Sequence, residues 1–141
     1  MTHITVRTRL VFLWMTITLG LGAAALLAAE TRLVDVTAEQ AQDLIRQRAG
    51  QKDFVILDVR TPEEFLDGHL SGAVNVNVLA PDFATRLGAM DRGKAYLVYC
   101  RTGNRSSRAV QAMQRLGFLR VYHMNRGIVE WQAKGFPLSR I

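Results

Sequence analysis

The sequence has little of the chemistry that supports disulfides or metal sites. Its 141 residues include one cysteine, Cys100, and three histidines that lie far apart in the chain. A single thiol cannot close a disulfide within the chain, and one cysteine with scattered histidines offers no metal-ligand set. The sequence therefore predicts no metal and no cofactor. Cys100 is then either an inert core residue or a reactive thiol.

Long runs of basic residues are also missing. The net charge is +6, and it falls to +4 when residues 1–29, which carry Arg7 and Arg9, are set aside. No lysine/arginine cluster is present, and aromatic residues do not alternate with basic ones, so the surplus charge predicts no nucleic-acid partner. Small anions are the ligands that this charge favours.

One long uncharged stretch lies near the N-terminus. Residues 10–29 contain no charged side chain, and Arg7 and Arg9 precede them. The two arginines, the apolar run and the small residues at 23–25 are typical of a cleaved signal peptide. Twenty such residues also suffice for an uncleaved membrane helix of about 30 Å. Residues 1–29 are thus interpreted as a signal peptide or an N-terminal membrane anchor.

Both interpretations send the rest of the chain across a membrane, because basic charge ahead of such a segment stays in the cytoplasm. In a bacterium the receiving compartment is the periplasm. We therefore expect the N-terminal segment to engage the membrane or the export machinery. The domain at residues 33–141 is expected in the periplasm, either free or tethered to the inner membrane.

The remainder of the chain alternates between predicted helices and strands. Thr37 and Gln40 form a capping-box pattern at the start of a helix predicted over residues 37–49. Continuous apolar runs are typical of strands that are covered on both faces. Strands are predicted at residues 54–57, 73–76, 96–99 and 121–124, and further helices at 82–90, 106–116 and 127–134. This alternation predicts an α/β domain of three layers, a mostly parallel sheet with helices on both faces, preceded by the N-terminal hydrophobic helix.

A short loop joins the predicted strand at 96–99 to the next helix and contains the cysteine. Residues 100–106 run Cys-Arg-Thr-Gly-Asn-Arg-Ser. Ligand sites in parallel sheets lie at the carboxyl ends of strands, where Cys100 is predicted. Gly103 and Asn104 are residue types that tolerate the left-handed backbone of a tight turn. The loop therefore predicts backbone N–H groups that converge on the sulfur.

Such a loop is expected to stabilise a thiolate. A free thiol has a pKa of about 8.5, and lowering it by about two units takes roughly 2.7 kcal/mol. One or two N–H donors supply about 1.5–3 kcal/mol each, and the N-terminus of the following helix also favours negative charge. We therefore interpret Cys100 as a nucleophile that needs no histidine base.

Three segments together resemble the rhodanese family of sulfurtransferases. Residues 100–106 are similar to its active-site loop, and residues 57–75, which begin Leu-Asp-Val-Arg-Thr-Pro-Glu-Glu-Phe, resemble its first signature. Residues 126–137 resemble its terminal signature. The match spans about residues 33–138 and implies a single rhodanese-like domain that carries sulfur as a persulfide on Cys100.

The resemblance also implies a reaction and a binding site. Sulfane sulfur would pass from a small anionic donor such as thiosulfate to a thiophilic acceptor: cyanide, a thiol or a partner protein. Arg101 and Arg105 would bind the donor by charge, and the loop N–H groups would hold the persulfide. The substrate-binding residues implied are Arg101, Thr102, Gly103, Asn104, Arg105 and Ser106.

Other polar residues of the matching segments receive supporting roles. Asp58 and Arg60, at a strand end, are assigned to a shell that supports the loop. His69 is interpreted as a structural hydrogen-bonding residue. His123 has only strand context and gives no functional indication.

Two local patterns concern helix starts. Thr61, Pro62 and Glu64 form an N-cap, a favourable first helical residue and a capping-box partner, which makes Glu64 structural. Before the last helix, the family usually has two glycines, whereas this chain has Arg126 and Gly127. Arg126 either adds charge to the mouth of the site or points into solvent.

Two alternatives stay open. The first is that the protein is a phosphatase or an arsenate reductase of similar fold. The loop of those phosphatases has five residues between cysteine and arginine, whereas four residues separate Cys100 from Arg105. Cys100 is alternatively a stoichiometric sulfur carrier or a redox sensor that has no turnover of its own.

Overall fold

A computed structural model describes residues 30–141 of the chain. The predicted N-terminal hydrophobic helix, and with it the assignment of a signal peptide or anchor, falls on residues 1–29 and lies outside the described residues. Among residues 30–141, no helix combines the length and the apolar character that crossing a membrane requires. The elements are β1 (Arg32–Val36), α1 (Ala38–Gln47), β2 (Phe54–Asp58), α2 (Pro62–Asp67), β3 (Val74–Asn75), α3 (Phe83–Gly88), β4 (Ala95–Tyr99), α4 (Asn104–Arg115), β5 (Arg120–Met124) and α5 (Gly127–Ala133).

The strands of the described region form one parallel sheet in the order β1-β5-β4-β2-β3. β4 lies at its centre and is buried at every position, because it is paired on both edges and covered on both faces. The predicted parallel sheet is confirmed. The C-terminal end of β4 is the place where the chain enters the loop at residues 100–106.

Helices cover both faces of the sheet, as predicted. On one face, Leu87 of α3 and Met113 of α4 pack with Val98 and Cys100. On the other, the buried residues of α1 and α5 pack with the opposite side chains of the same strands. Successive residues of a strand point to opposite faces. Cys100 therefore lies on the α4 face.

Two helices begin at the predicted capping boxes. The Thr37 hydroxyl accepts from the Gln40 N–H, and the Gln40 side chain accepts from the Thr37 N–H. Thr61 and Glu64 make the same reciprocal pair at the start of α2. The first four N–H groups of a helix have no partner within it, so each box satisfies two of these donors.

The structure departs from the predicted elements in three places. β1 is an edge strand that the sequence pattern did not predict, since it is exposed along most of its length and lacks a continuous apolar run. The strand predicted at 73–76 is only two residues long. α4 begins at Asn104, two residues before the predicted start, so Asn104 and Arg105 belong to its first turn.

Candidate active site

Cys100 follows β4 directly, and its side chain is enclosed by the loop that it begins. The residue is 1% exposed. The Gly103 N–H donates to Cys100 Sγ over 3.1 Å, and the Ser106 hydroxyl donates over 3.3 Å. The sulfur thus lies at the N-terminus of α4 with donors on it from the loop and from the first helical turn.

The N-terminus of α5 fixes the orientation of the loop. The Ile128 N–H donates to the Cys100 carbonyl over 2.9 Å, and the Val129 N–H donates to the Arg101 carbonyl over 3.2 Å. In a trans peptide, C=O and N–H point in opposite directions. Anchoring these two carbonyls on α5 therefore turns the next N–H groups, including that of Thr102, away from α5. This explains physically why the terminal signature accompanies the cysteine loop.

Two glycines allow the close packing of loop and helix. Gly103 has a φ of 101°, and a Cβ built on it would lie 1.8 Å from the Asn125 carbonyl oxygen. A Cβ on Gly127, at a φ of 66°, would lie 2.2 Å from the Arg101 carbonyl oxygen. Of the two residue types in the loop that tolerate the left-handed conformation, Gly103 adopts it and Asn104 is helical.

Opposing effects set the pKa of the Cys100 thiol. Burial raises it, because it disfavours the charged form, whereas hydrogen bonds favour the thiolate. The donors are the Ser106 hydroxyl and the N–H groups of Ser106, Gly103 and Thr102. The hydrogen bonds outweigh burial, so the pKa of Cys100 lies below its ordinary value.

A polar cavity of about 290 Å³ borders the loop at Arg101. Arg101 is exposed, and Arg140 and Gln132 also line the cavity, together with two acidic side chains. Arg140 was not identified from the sequence, because it lies near the C-terminus outside any motif. Its guanidinium donates to the Asp67 carbonyl over 2.9 Å, which holds it at the cavity. The cavity can accept a small anion.

Arg105, which was predicted to bind the donor by charge, is paired with an acidic side chain of the protein. Its guanidinium makes a bidentate ion pair with Glu64 of α2, with N–O distances of 2.6 and 2.8 Å. Both terminal nitrogens are thus bonded to a side chain of the protein rather than free for a ligand. The hydrogen bonds to Glu64 are the main cause that raises the pKa of Arg105, partial burial opposes them, and negative charge on Cys100 raises it further. The Arg105 charge therefore also favours the Cys100 thiolate.

Asp58 and Arg60 form a buried ion pair beside the cavity. Arg60 donates to both oxygens of Asp58, with a shortest distance of 2.6 Å, and also to the Gly68 carbonyl over 2.7 Å. The Arg60 guanidinium lies 5.6 Å from the centre of the Tyr99 ring. The pair therefore joins the end of β2 to the end of α2 and contacts the ring of Tyr99, the residue just before the loop.

The two buried histidines have different surroundings. His69 Nδ1 lies 2.8 Å from the Phe65 carbonyl and its ring stacks on Phe65, so its predicted structural role is confirmed. His123, which has no functional indication in the sequence analysis, lies 2.8 Å from the Ser106 hydroxyl. Sequence reasoning missed it because this contact depends on strand order, which no local motif shows.

Arg126, which replaces the usual glycine, points into solvent. Its side chain is 75% exposed and lies 3.6 Å from Glu130, one turn further along α5. Arg126 does not line the cavity at Arg101. Gly127, the glycine that is retained, is the one whose missing side chain the loop requires.

The described residues hold no cluster of metal-ligating side chains. Within residues 30–141, no group of three or more histidine, cysteine, aspartate or glutamate side chains is placed to hold a metal ion.

A central parallel strand that delivers one thiol into a loop of N–H donors defines a thiol-dependent α/β domain. Comparison with protein families narrows this class. The sequence model described as Rhodanese-like domain matches residues 37–134, and the chain belongs to that family.

Individual relatives agree with this assignment. A protein from Allochromatium vinosum named sulfurtransferase is 28% identical over 99 residues, covering 70% of this chain and 90% of its own. Thiosulfate sulfurtransferase 16, chloroplastic, from Arabidopsis thaliana is 33% identical over 122 residues, covering 79% of this chain and 98% of its own. The crystal structure of a rhodanese-related protein from Thermoplasma volcanium superposes with a TM-score of 0.64 at 27% identity, covering 75% of this chain and 97% of that one. These relatives support sulfur transfer as the general role of the domain.

Proposed function

We propose that the protein is a thiosulfate sulfurtransferase that carries sulfane sulfur as a persulfide on Cys100. One observation carries the proposal: Cys100 Sγ accepts hydrogen bonds from the Gly103 N–H and the Ser106 hydroxyl, at 3.1 and 3.3 Å. These donors favour a thiolate and also suit a persulfide anion, which carries the same charge one atom further out. The name of the Arabidopsis thaliana relative, a thiosulfate sulfurtransferase, supports the substrate class.

The reaction has two displacement steps. The Cys100 thiolate attacks the outer sulfur of thiosulfate, the Sγ–S bond forms, and the S–S bond of the donor breaks to release sulfite. Cyanide or a thiolate then attacks the outer sulfur of the persulfide and leaves with it, which regenerates the Cys100 thiolate. Charge balances in each step, and the protein undergoes no net oxidation.

The donor anion is assigned to the cavity beside the loop. Arg101 is exposed there and directly follows the nucleophile, and Arg140 adds a second guanidinium. Arg105 contributes charge at the loop, but both terminal nitrogens of its guanidinium donate to Glu64. Arg101 is therefore proposed as the main anion contact, with Arg105 as an electrostatic support that also ties α4 to α2.

Export of the domain is proposed as well. Its support is the uncharged stretch at residues 10–29 with Arg7 and Arg9 ahead of it. In this proposal the sulfur chemistry takes place outside the cytoplasm, with the domain released by cleavage or tethered by residues 1–29.

Steady-state kinetics with thiosulfate and cyanide test the function. A ping-pong pattern, with parallel double-reciprocal lines, is expected because sulfite leaves before cyanide reacts. Turnover that appears only with a partner protein, or none, would instead identify a carrier or a sensor. Hydrolysis of a phosphate ester dependent on Cys100, without sulfur transfer, would identify a phosphatase.

A further inference from the structure

His123 belongs to a continuous chain of side chains that ends at the sulfur. His123 Nε2 lies 2.8 Å from Ser106 Oγ, and Ser106 Oγ lies 3.3 Å from Cys100 Sγ. On the other side of the ring, His123 Nδ1 lies 3.0 Å from Asp35 Oδ1. The proposed sulfur chemistry uses neither His123 nor Asp35.

Strand register explains how these side chains meet. Asp35 of β1 is paired with His123 of β5, and His123 is paired with Val98 of β4. Cys100 lies two residues after Val98, so it points to the same face of the sheet. Ser106, in the first turn of α4, fills the space between His123 and Cys100 and is completely buried.

The connected side chains lead from the protein interior to solvent. Cys100 is 1% exposed and the His123 side chain is 6% exposed, whereas the Asp35 side chain at the sheet edge is 63% exposed. These contacts therefore connect the buried sulfur with the exposed β1 edge, and Asp35, Ser106 and His123 do not line the cavity at Arg101.

The hydrogen positions allow two arrangements. The Asp35 carboxylate only accepts, so His123 Nδ1 carries a hydrogen in both. In the neutral arrangement the Cys100 thiol donates to Ser106 Oγ, and the Ser106 hydroxyl donates to His123 Nε2. In the charged arrangement His123 Nε2–H donates to Ser106 Oγ, and the Ser106 hydroxyl donates to the thiolate.

The Gly103 carbonyl, 3.1 Å from Ser106 Oγ, competes for the same hydroxyl proton. A thiolate is the stronger acceptor, because hydrogen bonds to charged groups are about twice as strong as neutral ones. The charged arrangement therefore directs the Ser106 hydroxyl onto Cys100 Sγ.

We propose that His123 takes the proton of the Cys100 thiol through Ser106 and that Asp35 stabilises the resulting imidazolium. The proton leaves Sγ for Ser106 Oγ while the Ser106 hydroxyl proton moves to His123 Nε2, so no bond order or oxidation state changes elsewhere. The inference rests on the proposed function, since it supplies the thiolate that attacks the donor. His123 is a positioning residue, because it acts on the sulfur only through Ser106.

Few charged groups face this chain of side chains. β1 contributes Asp35, the end of β4 contributes Cys100, and α4 contributes the neutral Ser106 and Arg105, whose guanidinium is held in an ion pair. α1 packs on the opposite face of the sheet. Burial lowers the pKa of His123, and the Asp35 carboxylate counteracts part of that effect.

The test measures the rate at which iodoacetamide alkylates Cys100 as a function of pH, on the full chain. Cys100 is the only cysteine in the sequence, so the rate reports that thiolate alone. His123→Gln keeps a side-chain amide for hydrogen bonding but cannot take a proton. We expect its alkylation midpoint to move to higher pH by about one unit, so that the rate at neutral pH falls on the order of tenfold.

Asp35→Asn is a second variant, and it is expected to fold normally because the carboxylate is largely exposed. Without the Asp35 carboxylate the His123 imidazolium is less stable, so the alkylation midpoint again moves to higher pH. If there were no relay, removing the negative charge of Asp35 would favour the thiolate, and the midpoint would move to lower pH. Asp43→Asn is the matched control: its side chain is 64% exposed on α1 and is expected to leave the midpoint unchanged.

The outcomes separate the relay from the proposed function. Midpoints of His123→Gln and Asp35→Asn that coincide with the wild type, or a downward shift in Asp35→Asn, would overturn the relay while sulfur transfer stands. Failure of wild type to form any sulfur adduct would overturn the proposed function, whatever the alkylation midpoints show.

Discussion

Arg105 and Glu64 hold α4 and α2 together through two hydrogen bonds of 2.6 and 2.8 Å. Glu64 also accepts from the Thr61 N–H, so one carboxylate serves the start of α2 and the start of α4. This arrangement gives the loop arginine a structural task besides its charge near the sulfur.

Arg105→Ala is therefore expected to affect stability as well as catalysis. The free energy of unfolding should fall by about 1 kcal/mol, which is the upper part of the range for partly exposed ion pairs. kcat/KM for thiosulfate should fall by about tenfold, because a charge that favours the thiolate is lost. Urea unfolding and steady-state kinetics measure the two effects.

Arg108→Ala is the control for that substitution. Arg108 is exposed on the same helix and is not among the ion pairs found in the described residues. It should change stability by no more than about 0.5 kcal/mol. An Arg105→Ala protein as stable as the Arg108→Ala protein would contradict the assignment of the ion pair as a structural link.

The same pair predicts a dependence of stability on pH. The Arg105 guanidinium beside Glu64, opposed by partial burial, lowers the pKa of that carboxyl from 4.5 to about 2. A carboxyl whose pKa is lower in the folded state than in the unfolded state stabilises the fold at any pH above its unfolded-state pKa. This stabilisation is lost as the pH falls through the folded-state pKa. The stability difference between wild type and Glu64→Gln should be constant above about pH 5 and vanish towards pH 2. A difference that does not change across this range would contradict the pair.

Gly103→Ala is expected to disrupt the loop more than a glycine substitution elsewhere. Its Cβ would lie 1.8 Å from the Asn125 carbonyl oxygen, in addition to the strain of a φ of 101°. Gly117 has a φ of 79° with no atom near its added Cβ, so Gly117→Ala measures backbone strain alone, at about 1 kcal/mol. Gly103→Ala should lose more than about 2 kcal/mol. Equal losses in urea unfolding would show that the loop relaxes freely.

Local patterns predicted those features whose cause is local. Thr37 with Gln40 and Thr61 with Glu64 located two helix starts, since a capping box needs only four consecutive residues. The apolar run at 96–99 located the central strand for a similar reason. Gly103 and Asn104 were the two candidates for the left-handed position of the loop, and Gly103 adopts that conformation.

Features that depend on strand order were not predictable. Asp35 and His123 are 88 residues apart, and His123 and Ser106 are 17 apart, so only the parallel register brings them together. Arg105 was predicted to bind the donor by charge, and its pairing with Glu64, 41 residues earlier, was not predicted. A motif shows which residue types are present, whereas their partners follow from topology.

Export is predicted from residues 10–29 and the arginines before them. Cell fractionation should find the domain outside the cytoplasm, because a basic segment followed by twenty uncharged residues directs translocation. Intact mass then distinguishes cleavage near residue 25 from a retained anchor. Full-length soluble protein in the cytoplasm would contradict this prediction.

The central claim, that sulfur is carried on Cys100, is tested most directly by the intact mass of the protein after incubation with thiosulfate. Wild type should gain the mass of one sulfur atom and lose it again on addition of cyanide. Cys100→Ser should keep its fold, since serine has nearly the same shape, yet gain no mass, because its hydroxyl stays protonated and forms no persulfide. A sulfur adduct on the serine variant, or none on wild type with any sulfane donor, would contradict the account.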